Sequence, residues 1–209
     1  MVGRIINNRA DIAEGLDWLC TVEPRFQKAA EACPEPPLRR RKDGFAELLS
    51  AITSQQLSVA SASAIWARME AAGMIEPKAI LSASDEDLRA CGFSRQKILY
   101  ARDLAASGIN YRKLRETPTD KVIAQLVAVR GIGSWTAEVY AMFSLGRADV
   151  FAPGDLALQE SARVLFDLPD RPKEKAFREM AQAWSPWRSV AARLLWDYYH
   201  VLKNKEGIR

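Results

Sequence analysis

The stretch Leu126-Val127-Ala128-Val129-Arg130-Gly131-Ile132-Gly133-Ser134-Trp135-Thr136-Ala137 constrains the fold of this chain more than any other. Two glycines one residue apart stand between helical patterns. Val122, Ile123, Leu126 and Val129 form the apolar face before them, and a second helix opens at Ser134 or Trp135. A turn joining two packed helices needs positive φ or close backbone approach, and glycine supplies both. The N–H groups and positive dipole end of the second helix then face outward, where a phosphate can sit without sequence readout. Alone, such a turn reads more readily as an ordinary helical hairpin.

Helical spacing continues almost throughout. Phe45, Leu48, Leu49 and Ile52 make one buried stripe, and Ser58 to Ala72 carries Ile65, Trp66 and Met69 on its apolar face. Ser84-Asp85-Glu86-Asp87 reads as a helix start that Gly92 ends, and Ser94 to Ala106 continues to Gly108. Pro118-Thr119-Asp120 opens the first hairpin helix, and the second runs to about Leu145. Further helices are predicted over Leu156 to Phe166, Lys173 to Trp184 and Trp187 to Leu202, with Pro153, Pro169, Pro172 and Pro186 at the breaks. No alternating stretch is long enough for a sheet, so the fold class is all-α. Pro34 to Lys42 is irregular. Its run Arg39-Arg40-Arg41-Lys42 reads as a solvated connector or a phosphate-contacting loop.

A net charge of +4 is compatible with a polyanionic partner without proving one. Three widely spaced cysteines, Cys20, Cys33 and Cys91, suggest reduced thiols, and a single histidine, His200, argues against a zinc site. No leader-like or membrane-length apolar run is present, so the expectation is a soluble cytoplasmic protein, nucleoid-associated in a bacterium.

After the hairpin comes Asp149-Val150-Phe151-Ala152-Pro153-Gly154-Asp155-Leu156, with one acid at the head of the next helix. Asp155 reads as a helix N-cap, and also as a carboxylate available to a sugar. Taken with the hairpin string and Trp184-Ser185-Pro186-Trp187-Arg188-Ser189, it resembles the helix-hairpin-helix DNA glycosylase superfamily, most closely the 3-methyladenine DNA glycosylase II branch. The likeness extends from Gly44 to Tyr199.

The resemblance implies a single glycosylase domain over 1–209, two-lobed, with the helix-hairpin-helix at about 119–145. The N- and C-terminal helices would form the second lobe, with the active-site cleft between lobes. It implies a monofunctional enzyme of base-excision repair that flips and excises alkylated purines such as 3-methyladenine or 7-methylguanine. Asp155 would be the catalytic acid. Arg130, Gly131, Ile132, Gly133, Ser134 and Thr136 would contact DNA, and Trp135, Trp187 and Tyr140 are base-pocket candidates. The family often has an aromatic residue one turn after Trp135. Here that position is Val139, with Tyr140 adjacent on another helix face. Gln56 and Leu57, in Ser54-Gln55-Gln56-Leu57-Ser58, match the wedge that fills the gap left by a flipped nucleotide.

Bifunctional relatives carry a Schiff-base lysine where this chain has Trp135, and an indole cannot serve as that nucleophile. No cysteine follows Cys91, so the iron–sulfur cluster of some relatives is not expected. No organic cofactor is implied, although the family's hairpin often coordinates a monovalent cation through backbone carbonyls. The expected partner is double-stranded DNA with a flipped damaged base, bound by a monomer and without a membrane. Two alternatives stay open: a non-catalytic DNA-binding module, and a glycosylase for mismatched or deaminated bases.

Overall fold

The computed structural model describes residues 2–206, and among these the regular structure is helical, with one isolated bridge between Ile5 and Arg147. In chain order, α1 (Arg9–Val22) and α2 (Arg25–Ala32) precede the irregular connector. There follow α3 (Phe45–Ser54), α4 (Val59–Ala71), α5 (Pro77–Ser82), α6 (Asp85–Ala90), α7 (Arg95–Ala106) and α8 (Tyr111–Leu114). The hairpin pair is α9 (Thr119–Val127) and α10 (Ser134–Phe143). Then come α11 (Leu156–Leu165), α12 (Glu174–Met180), a 3₁₀ turn (Ala181–Trp184) and α13 (Arg188–Glu206). The helix predicted over Lys173 to Trp184 is therefore two pieces. Its last turn tightens to 3₁₀ just before Ser185-Pro186, because the residue ahead of a proline is kept out of the α region.

Short polar side chains set the starts. Asn8 and Asp11 form a capping box on α1, and Ser84 and Asp87 form another on α6. Ser58 and Ser94 cap α4 and α7, while Pro77 takes the first position of α5, where its missing N–H costs nothing.

The chain divides into two compact units: residues 1–40 with 141–209, and Arg41–Tyr140. The core of the first is an aromatic box. Trp184, 1% exposed, is ringed by Phe26, Phe151, Phe166 and Phe177 at centroid distances of 5.2, 5.4, 5.5 and 6.0 Å. Around it α13 packs on α11, α2 and α1. At the α1 crossing, a Cβ on Gly15 would lie 2.7 Å from the Trp187 ring and 2.8 Å from Val190 Cγ2, so only glycine allows the approach. In the second unit α3 packs on α4 and α7, and α5 on α7. Its core holds Leu48, Leu49, Ile52, Met69, Ile98, Val122 and Leu126.

The basic run is irregular, as expected, and its arginines are engaged. Arg39 pairs with Asp197 at 3.3 Å and Arg41 with Glu47 at 3.4 Å. Arg40 lies so close to Gly146 that a Cβ there would overlap its guanidinium. These contacts fit the connector reading better than a loop of open phosphate ligands.

Candidate active site and nucleic-acid interface

The two hairpin glycines do different work. Gly131 has φ +91°, and an added Cβ would come within 2.7 Å of Tyr100 Cβ and Cδ2, so both backbone sign and space demand glycine. Gly133 is exposed, lies outside the left-handed region, and a Cβ there would meet nothing within 4 Å. Its carbonyl accepts from the Ala137 N–H, making it the residue from which α10 starts. The protein itself therefore leaves the space around Gly133 open. Ser134 beside it is exposed, in the turn whose amides a helix leaves without carbonyl partners.

Ile132 and Thr136 are 3% and 8% exposed. Their side chains support the turn from within, so the DNA contact expected of these residues would be made by their backbone. Arg130 is exposed at the rim and pairs with Asp103 at 3.2 Å. A cavity of about 580 Å³ lies under this corner, lined by the ends of α7 and α9 and including Asp103, Ser107, Gln125 and Arg130.

Two turn carbonyls are engaged: Val129 O accepts from Ile132 N–H at 3.1 Å, and Gly131 O from the Gln55 side-chain amide at 2.9 Å. A carbonyl oxygen has two lone pairs, so the turn remains compatible with a weakly held monovalent cation. Such an ion would neutralise carbonyl dipoles and add positive charge near a phosphate. Among the described residues no cluster of His, Cys, Asp or Glu suits a metal ion.

Trp135, in the first turn of α10, is 45% exposed, an uncommon position for the largest apolar side chain. Tyr140, another base-pocket candidate, is buried within its own unit. It is 3% exposed, and its hydroxyl accepts from the Gly44 N–H at 2.9 Å, which satisfies an amide at the start of α3. Burial pushes its pKa well above the usual phenol value. Trp187 is buried as well. It is 3% exposed, packed against Gly15, with the Arg4 guanidinium 4.5 Å over its ring, so it is core of the first unit.

At the end of α3 the chain makes a short turn. Gln56 adopts φ +58°, unusual for a residue with a side chain, and Leu57 emerges 40% exposed. Val59 next to it is 85% exposed. The partial exposure of Leu57 is compatible with the wedge role expected of it.

Asp155 is the N-cap of α11. Its Oδ1 accepts from the Ala157 and Leu158 N–H groups at 2.9 and 3.1 Å, which fixes the carboxylate plane. The loop carrying it is fastened at several points. Ser189 N–H donates to Ala148 O, while Ser185 and Arg188 hold the Asp149 carboxylate at 2.8 and 2.5 Å. The buried Gln159 amide donates to Pro153 O at 2.8 Å, and Asp155 N–H closes a turn onto Ala152 O. Phe151, Ala152 and Pro153 are buried, so the acid sits half-buried on an anchored base. Neither Gln159 nor Asp149 carries a local sequence signal for this supporting role, because their partners are set by the fold.

A model of the HhH-GPD superfamily of base excision DNA repair proteins matches residues 49–186. The chain belongs to that superfamily. Among curated proteins it is 32% identical to DNA-3-methyladenine glycosylase 1 of Schizosaccharomyces pombe, over 81% of this chain and 78% of that one. Among solved structures it is similar to a DNA-3-methyladenine glycosidase from Bacillus halodurans, with a TM-score of 0.83, 33% identity and 91% of each chain covered. It also matches the S. pombe 3-methyladenine DNA glycosylase Mag1 in complex with abasic DNA, with a TM-score of 0.76 and 27% identity, over 88% of this chain and 95% of that one. As an HhH-GPD protein, the chain has its matched region run from α3 through Pro186, which takes in both the glycine turn and Asp155.

Proposed function

We propose that this HhH-GPD protein is a monofunctional DNA glycosylase that removes alkylated purines in base-excision repair. The observation that carries this is Asp155, a carboxylate locked by two helix amides on an anchored loop, in a chain alike over most of its length to 3-methyladenine glycosylases. As the C1′–N bond breaks, its electron pair leaves with the base and positive charge develops on the sugar. A fixed carboxylate stabilises that charge without reorganising. Water then adds to C1′ and loses a proton, giving free base and an abasic site.

The remaining features serve delivery. The Gly133 turn grips backbone phosphates of double-stranded DNA, and Leu57 with Gln56 fills the gap behind the flipped nucleotide. Trp135 offers an exposed ring to the base. An alkylated purine carries positive charge, and attraction to an indole face is worth about 0.5–2 kcal/mol. The charge also weakens the glycosidic bond, so no strong general acid is needed. The protein works as a monomer and a single glycosylase domain, cytoplasmic or nucleoid-associated. Among the described residues no helix is long and apolar enough to cross a membrane.

The test is a product analysis on methylated duplex DNA. Free methylated purine should appear with the strand intact until alkali or a separate lyase is added. Spontaneous strand scission dependent on Asp155 would contradict the monofunctional assignment, and lesion-independent binding without base release would favour a DNA-binding module.

A further inference from the structure

The side chain of Gln55 crosses from one DNA-facing element to another. Its Nε2 donates to Gly131 O at 2.9 Å, joining positions 76 residues apart in sequence. Gln55 stands at the end of α3, immediately before Gln56 and Leu57. We propose that Gln55 is a positioning residue that ties the phosphate-gripping turn to the Leu57 wedge, so that both engage DNA as one preset body. The proposal rests on the reading of those two elements given above.

The local geometry makes the tie specific. The turn holding Leu57 is fixed to its own helix by Leu57 N–H on Ser54 O at 3.2 Å, and Lys97 Nζ donates to Thr53 O at 2.6 Å. Ser58 then caps α4 on the far side. The wedge loop is thereby fastened at both ends, and Gln55 is the residue of the turn whose side chain reaches the hairpin. On the hairpin side, Gly131 backs against the Tyr100 ring and receives Gln55 on its carbonyl, so the peptide plane is held from two directions. That peptide lies two residues before Gly133. A shift of Leu57 therefore pulls on the turn that meets the phosphate, and the reverse. A neutral amide makes this link without adding charge that would bind any DNA indiscriminately.

The experiment is a double-mutant cycle read as preference, the ratio of affinities for a duplex carrying a tetrahydrofuran abasic analogue and for the same duplex undamaged. Gln55→Met keeps size and removes the donor. It should lower the preference about 5-fold, the worth of one hydrogen bond near 1 kcal/mol. Leu57→Ala should lower the preference in the native background and have much less effect in Gln55→Met, because an untethered wedge is already poorly aimed. Gln55→Lys keeps a donor and should restore the ratio, in which any general gain from added charge cancels. A retained preference in Gln55→Met, or losses from the two substitutions that simply multiply, would overturn the proposal. If Leu57→Ala is silent in the native background, the wedge reading itself fails and takes the proposal with it; that outcome is separable because Gln55 is then unaltered.

Discussion

Tyr100 occupies the space that a side chain on Gly131 would need. The ring closes off one face of the hairpin turn, while the other glycine, Gly133, looks into open space. The same motif thus contains one glycine required by folding and one that the fold does not require. Gly131→Ala combines a left-handed backbone with a clash and should cost about 1–3 kcal/mol in urea unfolding.

Gly133→Asp should have the opposite profile. Aspartate is a favoured N-cap, so stability should hold or rise by up to about 1 kcal/mol. A carboxylate where a phosphate binds should cut duplex affinity at least 10-fold. Unchanged affinity in this folded variant would remove the phosphate assignment.

The tryptophans separate in the same way. Trp135→Ala exposes little core and should leave the unfolding midpoint nearly unchanged. It should slow release of cationic alkylated purines by about 2- to 30-fold, the kinetic equivalent of 0.5–2 kcal/mol. Trp187→Ala empties a buried site against Gly15 and should cost about 3–5 kcal/mol in stability. A large activity loss at native stability for Trp187→Ala would return that residue to the pocket.

Alkaline titration probes the packing. Burial raises the pKa of Tyr111 to about 12 and pushes Tyr140 and Tyr198 up as well. In the unfolded chain these phenols ionise near pH 10. Each therefore holds more protons folded than unfolded above pH 10, and their contribution to stability is full below pH 10 and declines as pH rises toward the folded values. Ultraviolet titration should show Tyr111, Tyr140 and Tyr198 withheld from the transition near pH 10 and released with unfolding. Ionisation of these three near pH 10 in folded protein would contradict the packing.

What the sequence made legible is what local rules govern. The serine caps of α4 and α7, the aspartate cap of α11 and the glycine turn need only neighbours in the chain, and they stand where their spacing puts them. The helices α5 and α8, of six and four residues, are too short to show a period. In α1 the buried stripe Ile12, Gly15, Leu19 is interrupted by a glycine, which hides it. Tyr140 and Trp187 read in the sequence as base-pocket candidates from their closeness to motifs, whereas their burial rests on packing. Their partners, Gly44 and Gly15, are remote in sequence, and no local pattern announces them. The Gln55 bond is illegible for the same reason.

The central claim is that the Asp155 carboxylate acts on the sugar as well as capping α11. Asparagine keeps an oxygen for the Ala157 and Leu158 amides but lacks the charge, so Asp155→Asn isolates the chemistry from the cap. Release of free methylated purine from methylated duplex DNA, measured for both proteins at matched folded concentration, decides it. The account predicts an Asp155→Asn rate about 10²–10⁴ lower, typical of losing a positioned catalytic group, with unfolding stability within about 1 kcal/mol of the native protein. Base release by a folded Asp155→Asn protein at the native rate would leave Asp155 as a cap alone.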